Sequence, residues 1–384
     1  LLRLISFLRK ALDELEDDIS VMLPVEFGHY LRNLATLSGS GASRFDWWEK
    51  ANKLRESYRE QIYQSVLSGE ETELSSAAVN DILLTLERRV QEGISRAQEL
   101  AANDVPPTYF RYAVTDYETL NEGERPNIRA KAFHPIALPP FLEGAVRAMK
   151  VDEDAGLIHA AVRESGLYDW ALKMYKVNAP LTAEPHEVGR ARAFTPGWLE
   201  NESIWLHMEY KYLLEILKAG LFEEFFDDFK NCLIPFQPPE RYGRSPLENS
   251  SFIFSRARPD KSLHGNGFVA RLSGATAEFI EMWTILMASK APFQMQDGEL
   301  VLALHPILPG WLFDEQDQVN FNFLGRIPVT YHNPQRVDTW KESPQEITLY
   351  LTDGQKVEFD SPDIPSPYAE MVRNQEVESI NIHF

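Results

Sequence analysis

The sequence predicts a mainly α-helical protein that ends in a small antiparallel β domain. Two patterns support this fold class. Apolar residues recur at helical spacing through the first 103 residues and in several later segments, whereas after Pro292 they recur at every second position. A chain of 384 residues is long enough for one large domain and one small one. We therefore predict a helical domain over residues 1–292 and a β domain over residues 293–384.

Helices and loops alternate in the predicted helical domain. In the first segment, Leu4, Leu8 and Leu12 share one helical face. Proline, tyrosine and charged residues predict a long loop over residues 109–140. A loop of that length more often has a function, or packs across the mouth of a barrel, than serves as a simple connection. Apolar spacing predicts further helices over residues 141–149 and 156–163, and two overlapping helices over residues 203–219 and 213–229.

The β domain is predicted from alternating apolar positions and from one turn signal. Val319, Phe321 and Phe323 alternate with polar residues, as in a strand with one buried face. Asp353 and Gly354 form a dipeptide that is typical of a tight hairpin. Strands are therefore predicted on both sides of that dipeptide.

Composition and charge exclude several classes of partner. A formal net charge of −20 argues against nucleic acid and anionic membranes, because the average surface would repel both. Cys232 is the only cysteine, which excludes an intrachain disulfide and a zinc–thiolate site and fits a cytoplasmic protein. No metal motif of the His-Glu-x-x-His type is present, so neither a metal nor an organic cofactor is expected. An anion site has to be locally positive, and the arginines that flank the two segments described next are Arg190, Arg192 and Arg271.

The segment 194–207, which reads FTPGWLENESIWLH, places a turn and two carboxylates before a histidine at the start of a predicted helix. Pro196 and Gly197 break regular structure, and the apolar repeat that follows predicts a helix over residues 203–219. His207 then lies near the first turn, where free backbone N–H groups and the helix dipole favour a bound anion. The alternative is that His207 is an ordinary packed or solvated side chain.

A second predicted helix begins after the glycine-rich segment 264–267. Ser273 is suited to cap that helix, and Gly274 lets a ligand approach the backbone closely. The hydroxyl groups of Ser273 and Thr276 can donate to phosphate oxygens. Capping alone is the simpler explanation for Ser273, although capping and ligand binding are compatible.

The order of these motifs resembles that of the inverting disaccharide phosphorylases of glycoside hydrolase family 94. That family carries a Phe-Thr-Pro-Gly-x-x-Glu-Asn segment, a phosphate-binding histidine, a Pro-Asp pair, a Thr-Gly or Ser-Gly pair and a Pro-x-Ile-Pro-x-x-Trp stretch. The corresponding parts of this sequence are residues 194–201, His207, residues 259–260, residues 273–274 and residues 306–311. The wording of residues 189–203 is similar to the 1,2-β-oligoglucan phosphorylase branch of the family.

The resemblance implies a fold, an activity and several site residues. It implies an (α/α)6 barrel closed by a jelly-roll-like β cap, and phosphate attack on the anomeric carbon of a β-linked gluco-oligosaccharide to give glucose 1-phosphate. Inorganic phosphate is then a co-substrate, and a homodimer is expected. By the same resemblance His207, Ser273 and Gly274 bind phosphate, and Glu200 contacts the acceptor-side sugar.

Two departures from the family pattern stand out. Leu199 occupies a position where cellobiose phosphorylases commonly have a lysine, so the sugar that is bound stays open. The general acid of the family is the aspartate of an Asp-Trp-Asn-Asp motif, and this sequence has only the pairs Asp46-Trp47 and Asp169-Trp170, both expected to be structural. No catalytic acid is therefore identified, and we expect it upstream, in a longer enzyme of which this chain is the C-terminal part.

Two other functions remain open on the sequence alone. One is a non-catalytic sugar-binding module, and the other is a hydrolase or transglycosylase on the same fold. A phosphorylase needs phosphate and a phosphate ligand such as His207, whereas an inverting hydrolase needs a second carboxylate to activate water. Phosphate is already an anion, so it needs positioning and charge compensation but no base.

Overall fold

Helices and strands alternate along the whole chain in the computed structural model, which describes residues 1–15, 19–64, 67–101, 104–121, 123, 125–151, 154–270 and 274–384. The chain forms two compact units, Leu1–Glu153 and Asp154–Phe384. The boundary expected between residues 292 and 293 is not the point at which these units divide, and it stays a prediction about the second unit.

The first unit consists of helices, a short strand pair and a long β-hairpin. Ser43 and Ser75 each cap a helix by accepting a hydrogen bond from the backbone N–H of Asp46 (3.1 Å) and Ala78 (3.2 Å). An ion pair between Arg9 and Glu87 joins the first helix to the last long one. The elements are α1 (Leu2–Asp13), β1 (Ser20–Pro24), α2 (Val25–Ser38), α3 (Arg44–Tyr63), β2 (Glu71–Ser75), α4 (Ser76–Glu99), β3 (Phe110–Thr119), β4 (Ile128–Ala137) and α5 (Leu142–Met149).

The predicted loop over residues 109–140 is largely an antiparallel hairpin instead. Strands β3 and β4 pair from Phe110 opposite Ala137 to Thr119 opposite Ile128, with irregular register around Asp116. Strands β1 and β2 also pair antiparallel, from Ser20 opposite Ser75 to Pro24 opposite Glu71. The segment expected to be irregular is therefore one of the longest regular elements of the first unit.

The second unit is built around a buried helix, α8. Leu206, Tyr212, Leu213 and Ile216 on this helix have no exposed surface. The helices of the unit are α6 (Ala155–Glu164), α7 (Arg190–Ala193), α8 (Leu206–Lys218), α9 (Phe222–Cys232), α10 (Pro239–Tyr242), α11 (Gly274–Ala288) and α12 (Tyr368–Arg373). Its first strands are β5 (Tyr168–Asp169), β6 (Met174–Tyr175), β7 (Ile204–Trp205), β8 (Ser250–Ile253) and β9 (Gly267–Ala270).

The C-terminal part of the second unit contains a five-stranded mixed sheet. The strand order is β12-β13-β16-β14-β15, and β13 and β16 run parallel while the other neighbours are antiparallel. The hairpin predicted at Asp353 and Gly354 is confirmed, because it joins β14 to β15. The remaining strands are β10 (Phe293–Gln296), β11 (Glu299–Leu302), β12 (Gln318–Phe323), β13 (Ile327–His332), β14 (Glu346–Leu351), β15 (Lys356–Phe359) and β16 (Val377–His383).

The predicted fold class, a mainly α protein with an (α/α)6 barrel followed by an antiparallel jelly-roll-like domain, is wrong. The structure is 41% helix and 23% strand, with several small sheets and no clear barrel of paired helices among the described residues. Strands β1 to β9 lie inside the region that was predicted to be helical, and the C-terminal sheet is mixed because β16 enters it parallel to β13. None of the described helices is both long and apolar enough to cross a bilayer.

Candidate functional site

The segment 194–203 forms a tight loop that is closed by its own hydrogen bonds. The N–H of Gly197 donates to the carbonyl oxygen of Asn201 (2.8 Å), and the Asn201 side-chain amide donates to the carbonyl oxygen of Phe194 (2.6 Å). Gly197 has a φ of +77°, and a Cβ atom there would lie 2.4 Å from the backbone nitrogen of Arg258. Glycine is required at this position by its backbone conformation and by the close approach of residue 258.

The buried side chain of Asn178 and the largely buried side chain of Lys176 hold this loop in place. The Glu202 N–H donates to the Asn178 side-chain oxygen (2.6 Å), and the Asn178 amide donates to the Glu200 carbonyl oxygen (2.9 Å). The Glu202 carboxylate pairs with Lys176 at 3.1 Å, and both side chains are largely buried. Glu202 therefore has a structural role in the loop, which leaves Glu200 as the more accessible of the two carboxylates.

Glu200 forms an ion pair at the surface of the loop. Arg190 donates to its Oε1 atom at 2.8 Å, and the Arg190 side chain is mostly exposed. Arg192, which also flanks the loop, donates to the backbone carbonyl oxygens of Thr182 and Glu184. Of the three flanking arginines, Arg190 supplies charge to Glu200, Arg192 supports the backbone, and Arg271 lies outside the described residues.

His207 and Gly274, predicted from two separate motifs, are in direct contact. His207 is the second residue of α8 and Gly274 is the first residue of α11. A Cβ atom at position 274 would lie 2.4 Å from His207 Nδ1 and 2.5 Å from Cε1. The imidazole thus packs against the backbone of the first turn of α11, a contact that only glycine permits. Ser273 lies outside the described residues, so its predicted phosphate contact stays a prediction.

Two further charged groups act on the His207 ring. Its Nε2 atom lies 3.5 Å from Glu278 Oε1, and Lys211 lies on the next turn of α8. Burial lowers the pKa of His207, Lys211 lowers it further, and Glu278 opposes both effects. The ring is therefore mainly neutral at pH 7. Glu278 and Lys211 were missed by the sequence analysis, although each lies four residues after a predicted ligand, on the same helical face.

The distance between His207 and Glu278 leaves the imidazole available to a ligand. At 3.5 Å the contact is longer than an ordinary N–H···O hydrogen bond. A hydrogen phosphate ion can accept a hydrogen bond from Nε2–H with one oxygen and donate a hydrogen bond from its own O–H to the Glu278 carboxylate. Lys211 partly balances the negative charge of such a ligand.

An aromatic ladder fixes the residue that precedes α8. The ring of Trp205 meets His207 edge-on at 5.7 Å and stacks on Phe252 at 5.9 Å. Phe252 in turn stacks on Phe268, and Phe268 stacks on Phe254 at 4.0 Å. Trp205, Phe252 and Phe268 lie on strands β7, β8 and β9. The sheet therefore holds Trp205, and through it the start of α8, in one position.

Neither Asp-Trp pair is placed as a catalytic acid. The Asp169 carboxylate accepts hydrogen bonds from the backbone N–H groups of Ala171, Leu172 and Arg256 (3.2, 3.2 and 2.7 Å). Asp46 accepts a hydrogen bond from the capping Ser43 at 2.8 Å. The Asp169 carboxylate therefore organises backbone, and the Asp46 carboxylate bonds the serine that caps α3, so both have the structural roles that were expected.

A buried cluster of ionisable groups lies beside α8 and was not predicted. Glu209 and Asp228 have no exposed surface, and Tyr175 links them. The Tyr175 N–H donates to Glu209 Oε1 (2.8 Å), and its hydroxyl donates to Asp228 Oδ2 (2.6 Å). Asp228 also accepts from Arg163 (2.7 Å). Burial raises the pKa of Glu209 to about 8 and that of Asp228 to about 7.

Neither a model of a known protein family nor a curated protein sequence matches this chain. Among the described residues, no group of three or more His, Cys, Asp or Glu side chains is arranged to hold a metal ion.

Proposed function

We infer that this chain carries the phosphate site of an inverting phosphorylase that cleaves β-linked gluco-oligosaccharides to glucose 1-phosphate. The observation that carries this proposal is the direct contact between His207 and Gly274, since both were singled out as phosphate ligands from separate motifs. A contact between two helix N-termini, one of which supplies a half-buried imidazole, suits an anion better than a neutral sugar. The resemblance in motif order supplies the reaction.

The proposed chemistry needs few groups from this chain. A phosphate oxygen forms the new bond to the anomeric carbon on one face of the sugar while the glycosidic C–O bond breaks on the other. His207 donates a hydrogen bond to phosphate, and Glu278 accepts one from its protonated oxygen. The proton for the leaving sugar oxygen comes from a carboxylic acid that we propose lies outside residues 1–384. The proposed compartment is the cytoplasm, in keeping with a single cysteine.

Glu200 is proposed to hydrogen-bond a hydroxyl group of the acceptor-side sugar. Its Oε1 atom already accepts from Arg190, which orients the carboxylate. Because Arg190 is mostly exposed, it can move with an incoming sugar or donate to one itself. Among the described residues, the groups that act on His207 do not include Glu200, so phosphate and sugar contacts would be made by separate groups.

His207→Ala is expected to lower the rate of phosphate-dependent cleavage about 100-fold, because one positioned donor to the anion is lost. The His207 side chain is partly exposed, so the free energy of unfolding should change by less than about 1 kcal/mol. The assay measures glucose 1-phosphate released from sophorose, cellobiose and longer β-linked oligosaccharides, with and without phosphate. It should use both this chain and any longer natural protein that contains it.

His186→Ala provides the matched control, since His186 is an exposed histidine of the same unit. Equal losses of activity in the two variants would contradict the phosphate-ligand role. Cleavage that does not depend on phosphate would show a hydrolase or transglycosylase, and sugar binding without turnover would show a binding module.

Gly274→Ala tests the contact that carries the proposal. The new methyl group would overlap the His207 ring, so the imidazole must move by about an ångström, and the affinity for inorganic phosphate should fall roughly 10-fold to 100-fold. Phosphate binding can be measured by calorimetry. Gly156→Ala is the control, because Gly156 also lies in the first turn of a helix but has only Leu221 Cδ2 at 3.9 Å. Unchanged phosphate affinity in Gly274→Ala would show that the ring is not positioned by this contact.

A further inference from the structure

A cavity of about 370 Å³ lies in the second unit, between the start of α9, the end of α11 and the loop from β13 to β14. Its walls include Trp340 and Phe222, and Pro306 and Ile307 from the stretch 306–311, which was singled out by resemblance. The volume is within the range of pockets that bind small organic molecules. None of the groups assigned to phosphate or to the acceptor sugar lines this cavity.

The charged groups of the cavity do not favour an anion. Lys341 is held by Glu223 (2.7 Å) and Asp338 (2.9 Å), and His305 pairs with Asp363 at 2.8 Å. The charge of Lys341 is therefore neutralised by two carboxylates, and His305 already has a carboxylate partner. A phosphate ester or a carboxylate would meet surplus negative charge here.

Glu342 adds an acceptor to the cavity wall. It is exposed, and within the described residues its carboxylate takes part in no ion pair. Ser343, beside it, is also exposed and contributes a hydroxyl group. These groups can accept hydrogen bonds from several hydroxyl donors of one ligand.

Trp340 supplies a flat aromatic wall, and Lys341 Nζ lies 5.6 Å from the centroid of its ring. One face of its indole stacks on Phe226, with ring centroids 5.2 Å apart and planes inclined by 10°, and Phe222 meets it at 5.8 Å. This packing fixes the plane of the indole. The polarised C–H groups of a pyranose ring carry partial positive charge, and an aromatic face is negative, so the two surfaces attract.

We propose that this cavity is a second carbohydrate site, which binds one or two neutral sugar rings against Trp340 with their hydroxyl groups directed to Glu342 and Ser343. The neutral, hydroxyl-rich class of ligand follows from the cavity itself, whereas the choice of a β-gluco-oligosaccharide rests on the proposed function. Such a site would hold a length of oligosaccharide without taking part in bond cleavage.

The test follows the Ile307 side chain, which lines the cavity, by methyl-labelled NMR of the full chain in phosphate-free buffer. The Ile307 signal is assigned with Ile307→Val. Titration with sophorose and cellotriose should shift this signal in a saturable way, while the signal of the fully buried Ile216 stays in place. Glucose 1-phosphate should leave the Ile307 signal unchanged.

Trp340→Ala should weaken the titration at least tenfold, and Trp283→Ala, which removes a partly exposed tryptophan elsewhere in the unit, should not. Ser343→Phe, a change at an exposed position that fills the cavity, should block the shift even if Trp340→Ala unfolds. His207→Ala should lower the rate of phosphate-dependent cleavage about 100-fold and leave the Ile307 shift intact, so failure of this proposal is distinct from failure of the phosphorylase proposal. An absent shift, a shift insensitive to both cavity variants, or an equal shift with glucose 1-phosphate would overturn the second site.

Discussion

Gly310→Ala is expected to lower the free energy of unfolding of the second unit by roughly 3 kcal/mol or more. A Cβ atom at position 310 would lie 1.8 Å from the carbonyl oxygen of Arg336 and 2.6 Å from its carbonyl carbon. Both are backbone atoms, so no side-chain rotation can relieve the overlap. The segment 333–339 would have to move away from residues 306–311.

That movement would break several contacts at once. The Gly310 N–H donates to Asp338 (3.2 Å), and the Arg336 side chain donates to the Phe313 and Asp314 carbonyl oxygens at 3.3 and 2.6 Å. Trp311, the next residue, lies under Lys230 at 3.8 Å from its ring centroid. The destabilisation should therefore extend beyond the contact between residues 310 and 336.

Thermal unfolding measures this effect. For a unit of this size a loss of 3 kcal/mol corresponds to a decrease in Tm of roughly 6–12 °C. Gly156→Ala should unfold at or above the wild-type temperature, because its methyl group has room and alanine restricts the unfolded chain. Wild-type Tm in Gly310→Ala would show that residues 310 and 336 are not packed as the structure has them.

The sequence predicted those helices that bury one face. Helices over residues 141–149 and 156–163 were predicted, and α5 (Leu142–Met149) and α6 (Ala155–Glu164) are observed. The helix predicted over residues 203–219 with a stop at Gly220 corresponds to α8 (Leu206–Lys218), and Gly220 has a φ of +79°. The overlapping helix predicted over residues 213–229 is wrong, because α9 begins only at Phe222.

The β3–β4 hairpin was not predicted for a different reason, which is that its strands are largely exposed. Tyr112 and Tyr117 on β3 are more than half exposed, and Val114 is also exposed, so this strand buries no continuous face. Without a buried face there is no alternation of apolar and polar residues for a pattern to detect. The parallel pairing of β13 with β16 could not be predicted from local sequence patterns either, since it joins residues about fifty positions apart along the chain.

The candidate site was predictable where it depends on helix ends. His207 and Gly274 were found because a turn signal precedes each helix, and the structure brings the two residues into contact. Glu209 and Asp228 lie on α8 and α9 among apolar neighbours, and no local pattern marks a carboxyl group that will lose all contact with water. Their pKa shifts depend on tertiary burial, which the sequence does not display.

The raised pKa values of Glu209 and Asp228 predict that the free energy of unfolding decreases as the pH rises from 6.5 to 8. The pKa of Glu209 is raised from 4.5 to about 8, and that of Asp228 from 3.8 to about 7, mainly by burial. Between the ordinary and the raised pKa the folded protein holds a proton that the unfolded chain releases. Stability therefore decreases with increasing pH in this range.

Buried His159 has the opposite effect at lower pH. Burial lowers its pKa from 6.5 to about 4, so between these values the unfolded chain binds a proton that the folded protein does not. Its contribution to stability rises with pH through 6.5 and becomes constant only about one pH unit higher, when the unfolded chain has lost its proton. Between pH 6.5 and 8 it therefore adds a small opposing change, which cancels when a variant that keeps His159 is compared with the wild type.

Glu209→Gln is expected to reduce the loss of stability between pH 6.5 and 8 by about 1–2 kcal/mol, because the folded protein holds nearly one extra proton at pH 6.5 and about half of one at pH 8. Glutamine keeps an oxygen that can accept the hydrogen bond from the Tyr175 N–H, so packing should be preserved. Urea unfolding at pH 6.5, 7.25 and 8 measures the slope. Glu164→Gln, at an exposed position of α6, should leave the slope at the wild-type value. A wild-type slope in Glu209→Gln would mean that this carboxyl group is already ionised in the folded protein at pH 6.5, and hence that water or a cation reaches it.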